Sequence, residues 1–168
     1  MMTQDFSGVG DKVSCMIGKA LKSGCSMKGH WKTTLFDKDG MVKERDEGDN
    51  QVTLIGDAFV ADQLSDQAEA QMGWMAVGTT SGGKTEASTT LEAENTRNAL
   101  SSGPTQGAGA ADDEVAFQGQ FTGIDATLVE WGIFNAAAAG VMLCYAEGSH
   151  VMTAPDTLQI DWTLTISH

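Results

Sequence analysis

From Thr157 to Ile166 apolar and polar residues alternate without a break. Leu158, Ile160, Trp162, Leu164 and Ile166 fall on one side, and Gln159, Asp161, Thr163 and Thr165 on the other. A period of two is the period of a β-strand, and it commits one face to a core and the other to water or a neighbour. Three segments upstream carry related patterns. Val115–Phe121 places Val115, Phe117 and Phe121 together, Ala126–Asn135 is rich in β-branched and aromatic residues, and Val141–Ala146 is a short apolar run. Strands in series, separated by turn-like segments, predict an antiparallel sandwich or barrel and argue against a parallel sheet with crossover helices.

A chain of 168 residues is the size of one domain and long enough to bury a core without staples. Its 20 glycines against two prolines suit short strands joined by tight turns. No apolar run is long enough to span a bilayer, so no membrane partner is expected. Met1–Asp5 lacks the basic and apolar regions of a signal peptide, which reads as a chain made in a cytoplasm. The net charge of −13 disfavours binding to a phosphate backbone, so no nucleic-acid partner is expected either. Basic residues gather between Lys12 and Arg45, and Asp46 to Glu147 is strongly acidic. The amino-terminal part could therefore sit on an acidic partner. Cys15, Cys25 and Cys144 have no CxxC spacing, and His30, His150 and His168 stand apart, so no metal or disulfide framework is expected.

Along the chain, Val9, Val13, Met16, Ile17, Ala20 and Leu21 recur at helical spacing, with Lys12, Lys19 and Lys22 elsewhere on the wheel. This predicts a short amphipathic helix ending near Ser23-Gly24, which packs on its own domain or on another subunit. His30–Phe36 and Met41–Arg45 flank Asp37-Lys38-Asp39-Gly40, a predicted hairpin turn; the remaining EF-hand positions are missing, so it is not read as a calcium loop. Ala58–Leu64 predicts a short helix and Gly73–Gly78 a strand. Leu91–Leu100 reads as a strand or a helical turn, and Ser101–Asp113 as a surface loop or extended arm.

One segment resembles chemistry. Gly78-Thr79-Thr80-Ser81-Gly82-Gly83-Lys84-Thr85 satisfies the phosphate-loop pattern, in which backbone amides cradle phosphates, a lysine reaches the terminal one and a threonine holds magnesium. That loop must open a helix, and Thr85–Thr90, with three threonines in six residues, starts one poorly. A turn between two strands is the expected reading. Asp112-Asp113-Glu114 reads as a solvated loop, Ser149-His150 as a turn, and Trp131 and Trp162 as core residues. No catalytic residue and no cofactor is expected.

Several segments, taken in order, carry a resemblance. They are the Asp37–Gly40 hairpin, Gly48–Thr53, Phe59–Leu64, Trp74–Thr80, Thr90–Arg97, Val129–Ala136, Gly140–Leu143 and Asp156–Ile166. Their order over residues 30 to 167 resembles small virion structural proteins of tailed bacteriophages, of the capsid decoration, head-fibre or tail type. The resemblance implies a non-catalytic protein that binds and stabilises the outer capsid surface, with the major capsid protein or other virion proteins as partners. It further implies a homo-trimer and location in the virion. The expected organisation is an amino-terminal arm over 1–28, helical or extended, and a jelly-roll-like or Ig-like antiparallel β-sandwich over 29–168. Lys12, Met16, Lys19, Leu21, Lys22 and Lys28 are the expected capsid contacts. The loop at Pro104 and the exposed side of the last strands are the expected subunit contacts. The alternatives are a tail or fibre component that meets the host receptor and, further off, a nucleotide hydrolase using Lys84 and Thr85.

Overall fold

In the computed structural model, residues 26–65, 69–107 and 113–167 are described. The architecture is mainly β, two antiparallel sheets packed face to face with one short helix. The first sheet holds β2 (Val42–Asp49), β1 (Ser26–Phe36), β10 (Thr157–Ser167), β7 (Glu114–Thr122) and β6 (Ser102–Gln106), in that order. The second holds β3 (Gln51–Val52), β9 (Met142–Met152), β8 (Ala126–Phe134), β4 (Trp74–Gly78) and β5 (Glu94–Ala99). The helix α1 (Leu54–Leu64) lies between β3 and β4 in the chain.

The alternation that dominates the sequence becomes the inner face of the first sheet. Leu158, Ile160, Trp162 and Leu164 of β10 are buried beside Trp31 and Leu35 of β1 and Phe117 and Phe121 of β7. Opposite them lie Met75, Leu128, Trp131 and Ile133 of the second sheet, in the same cluster. Trp31 meets Trp131 edge to face across the layers, with ring centroids 4.8 Å apart. Ile166 closes the alternation at the rim, 42% exposed.

The first hairpin turns where Asp37 and Gly40 predict it. The Asp37 carboxylate accepts from the amides of Asp39 and Met41, both at 2.9 Å, and Gly40 takes φ of +78°. The helix begins earlier than the sequence predicts, because Thr53 caps it. The Thr53 hydroxyl accepts from the Gly56 amide at 3.0 Å, and the fully buried side chain also donates to the Met142 carbonyl at 2.5 Å.

Two sequence expectations are corrected. The segment around Pro104 is a strand, β6, paired antiparallel with β7 at the sheet edge, where a residue without an N–H costs no ladder bond. Ser149-His150 is not a turn. It lies inside β9, which runs on through Gly148 because that glycine passes flat under the tryptophans; an added Cβ would stand 2.3 Å from Trp131. The ambiguous Leu91–Leu100 resolves as β5.

Candidate functional site

The two sheets differ on their outer faces. That of the second sheet is covered by a second apolar cluster of Ala76, Leu91, Phe134, Met142 and Tyr145, with Ile55 of α1 packed against it. The cover is the segment between β4 and β5, which contains the phosphate-loop pattern. No helix follows Lys84; the next regular element is β5. The Lys84 ammonium meets Glu92 at 2.9 Å, and its carbonyl accepts from the Tyr145 hydroxyl. The Glu86 carbonyl accepts from the Leu54 amide at 2.7 Å. The strap is fastened by Glu130, fully buried, whose two carboxylate oxygens accept from the amides of Glu92 at 3.0 Å and Ala93 at 2.8 Å. The lysine of the pattern is thus paired with Glu92, and the segment that carries it lies as a strap over the sheet. Arg97 of β5 lies over the Phe134 ring, 3.6 Å from its centroid, and donates to the Ala136 and Ala139 carbonyls, pinning the β8–β9 turn.

A second constellation has the form of a catalytic relay. The Thr33 hydroxyl lies 2.6 Å from His150 Nε2, and His150 Nδ1 lies 3.0 Å from a Glu44 carboxylate oxygen. Nucleophile, base and orienting carboxylate stand in this order in covalent hydrolases. Here Thr33 is 1% exposed and His150 0%, with Trp131 stacked on the imidazole, while Glu44, on the edge strand β2, is exposed. Thr33 and His150 form a buried polar bridge between the sheets, which Glu44 caps from the surface. Thr33→Val keeps the shape and removes the partner of His150 Nε2. It should lower stability by about 1–3 kcal/mol, read by urea denaturation, with Thr33→Ser recovering most of the loss.

The outer face of the first sheet is uncovered and polar. Lys28, His30, Lys32 and Thr34 of β1 project from it beside Gln159, Asp161 and Thr163 of β10 and Gln118 and Gln120 of β7. Asp161 of β10 accepts from Gln118 of β7 at 2.7 Å and from Gln159 on its own strand at 2.8 Å. Lys32 stands 3.3 Å from Glu47 of the edge strand β2 and holds that carboxyl below its ordinary range. At the far end of β10, Asp156 is buried. Lys43 at 2.7 Å and then the Thr153 amide hold its carboxyl at about 2, while burial works the other way. A depressed folded-state value means that its contribution is complete above the ordinary 3.8 and fades as pH falls through about 2. Acid titration of the melting temperature should show this step in the wild type and not in Asp156→Asn.

The sequence-expected contacts separate. Lys28 is on the open polar face, exposed and opposite Thr165. Pro104 is on β6, at the other edge of the same sheet, and lines an apolar groove between the layers. Lys12, Met16, Lys19, Leu21 and Lys22 lie outside the described residues, as do Cys15 and Cys25. Cys144 is a buried free thiol whose pKa burial pushes well up. Among the described residues no group of three or more His, Cys, Asp or Glu side chains is placed to hold a metal ion. The sequence offers little signal for the roles of Glu130, Thr33 and Glu44; a charged residue inside an apolar strand is the only hint, and it applies to Glu130. The fold and these surfaces define a two-sheet antiparallel sandwich with one strapped face and one open polar face. No family model, curated protein or solved structure matches this chain.

Proposed function

We propose that this chain is a non-catalytic virion structural protein of a tailed bacteriophage, a decoration protein that binds the outer surface of the capsid and reinforces it. The observation that carries the reading is the open face of the first sheet. Its polar side chains are linked between β7 and β10, and Lys28 and Lys32 of β1 stand on it in a chain of net charge −13. A flat, rigid, polar sheet face suits attachment to a repeating protein surface, and an acidic body resists clumping at high local density. The charged edge strand β2, whose residues are nearly all exposed, works against edge-to-edge aggregation in the same setting. The motif order from the Asp37 hairpin to Ile166 supplies the phage assignment, and trimeric assembly follows from the symmetry of such shells.

The test is solution mass by light scattering, joined with co-sedimentation of the full chain with shells of the major capsid protein from the same genome. A trimer that pellets with shells, and does so less when Lys28 and Lys32 are changed to Glu, supports the proposal. A monomer that stays in the supernatant overturns it, and co-sedimentation with tail tubes alone moves the assignment to a tail component.

A further inference from the structure

An apolar groove of about 200 Å³ opens between the sheets at the end where the described chain begins. Its walls include Met27, Phe59, Val60, Val115, Leu164 and Ile166. A site this size is large enough for one or two aliphatic side chains, since a comparable apolar cavity of about 150 Å³ accepts a benzene ring and stays dry. Water inside it would find few partners. Ile166, 42% exposed, marks its mouth, opposite Met27 in the β1–β10 ladder. The helix on its rim carries Asp57 and Asp62 and has no basic residue in its last turn.

Twenty-five residues precede Ser26, and Met27, two residues past that length of chain, lines this groove. Within them Val13, Met16, Ile17 and Leu21 share one helical face, with Lys12, Lys19 and Lys22 on the rest of the wheel. Leu21 is six residues from Met27, a reach of at most roughly 20 Å. Such a tether holds the segment at a high effective concentration over the groove.

We infer that the groove is the seat of the chain's own amino-terminal segment, residues 9–21, with Met16, Ile17 and Leu21 supplying the side chains that fill it. Lys12 and Lys19 then approach the acidic rim of α1, and the outward side of the segment stays basic. The assignment is independent of the virion reading, because it concerns the free chain and no shell takes part in its test.

Trypsin decides it, since Lys12, Lys19 and Lys22 lie in the segment and cleavage follows the population of the released form. In the full chain, cleavage at these lysines should be about tenfold slower than in Ile17→Asp, which removes an apolar group without touching the sandwich. Val60→Asp on the groove side should accelerate cleavage similarly, with a thermal melt to verify that it folds; Ile17→Asp decides alone if it does not. Equal rates in wild type and Ile17→Asp would overturn the assignment. Protection that rises with protein concentration alongside a dimer mass would place a second copy's segment in the groove and overturn the intramolecular seat.

Discussion

Gly56→Ala should destabilise this protein by several kcal/mol, opposite in sign to what helix propensity alone dictates. Alanine in place of glycine inside a helix ordinarily stabilises by about 1 kcal/mol. Here α1 rests backbone to backbone on β9, and a Cβ at residue 56 would stand 2.2 Å from the Leu143 carbonyl oxygen and 2.9 Å from its Cα. Both obstacles are main chain, so no rotamer change relieves them. The helix must lift, and it carries Phe59, 7% exposed, out of the core and Val60 away from the groove. Overpacking costs about 1–3 kcal/mol where side chains can adjust, and more where they cannot. Undocking of α1 would also expose the Thr53 hydroxyl and its bond to Met142. Thermal denaturation should show a fall of roughly 10 °C, at about 2–4 °C per kcal/mol for a chain of this length. A melting temperature equal to or above wild type would show that α1 does not sit on β9 as described.

Glu130→Gln should be nearly as damaging as Glu130→Ala, although it is close to isosteric. The carboxylate accepts two backbone N–H bonds, one on each oxygen, in a place with no exposure. Glutamine offers one acceptor and one amide donor, so one of the Glu92 and Ala93 amides must face an N–H₂ group. Hydrogen bonds to a charged group contribute about 1.5–3 kcal/mol each, and an abandoned buried donor costs about 1–3 kcal/mol. A loss of about 3 kcal/mol is therefore expected for either variant, and the strap from Thr79 to Ala93 should loosen with it. Hydrogen exchange is the sharper readout: the Glu92 and Ala93 amides should lose protection, while the β1–β10 ladder keeps it. Gly78 has no room to compensate, since a Cβ there would stand 2.4 Å from the Glu130 carboxylate. If the glutamine variant matches wild type in both stability and exchange, the carboxylate is not the clasp.

These two sites bear on function through the surfaces they set apart. The clasp at Glu130 keeps the outer face of the second sheet closed, and the docking of α1 shapes one wall of the groove. What remains open is the polar face of the first sheet, where the proposed attachment takes place.

Much of the fold was legible because alternation is a local property. The inward positions of β7 and β10, the Asp37–Gly40 turn and the core placement of Trp131 and Trp162 all follow from period two and turn chemistry. Other features depend on partners distant in sequence. The irregular register between Leu128 and Glu130 puts Leu128 in the inner core and turns Glu130 toward the strap, which a strict alternation would not do. The Ser102–Gln106 segment reads as loop because its glycine and proline are poor strand residues, yet its pairing with β7 makes it an edge strand. Ser149-His150 reads as a turn until two tryptophans require a residue without a side chain at 148. By itself the sequence determined the class of fold and its buried faces, since each strand's pattern records which side meets a core. Only the tertiary structure decided that the phosphate-loop pattern lies in a strap, that Thr33 and His150 form a buried bridge capped by Glu44, and that a groove opens beside Met27. Each depends on contacts between residues far apart in the chain, which no local period encodes.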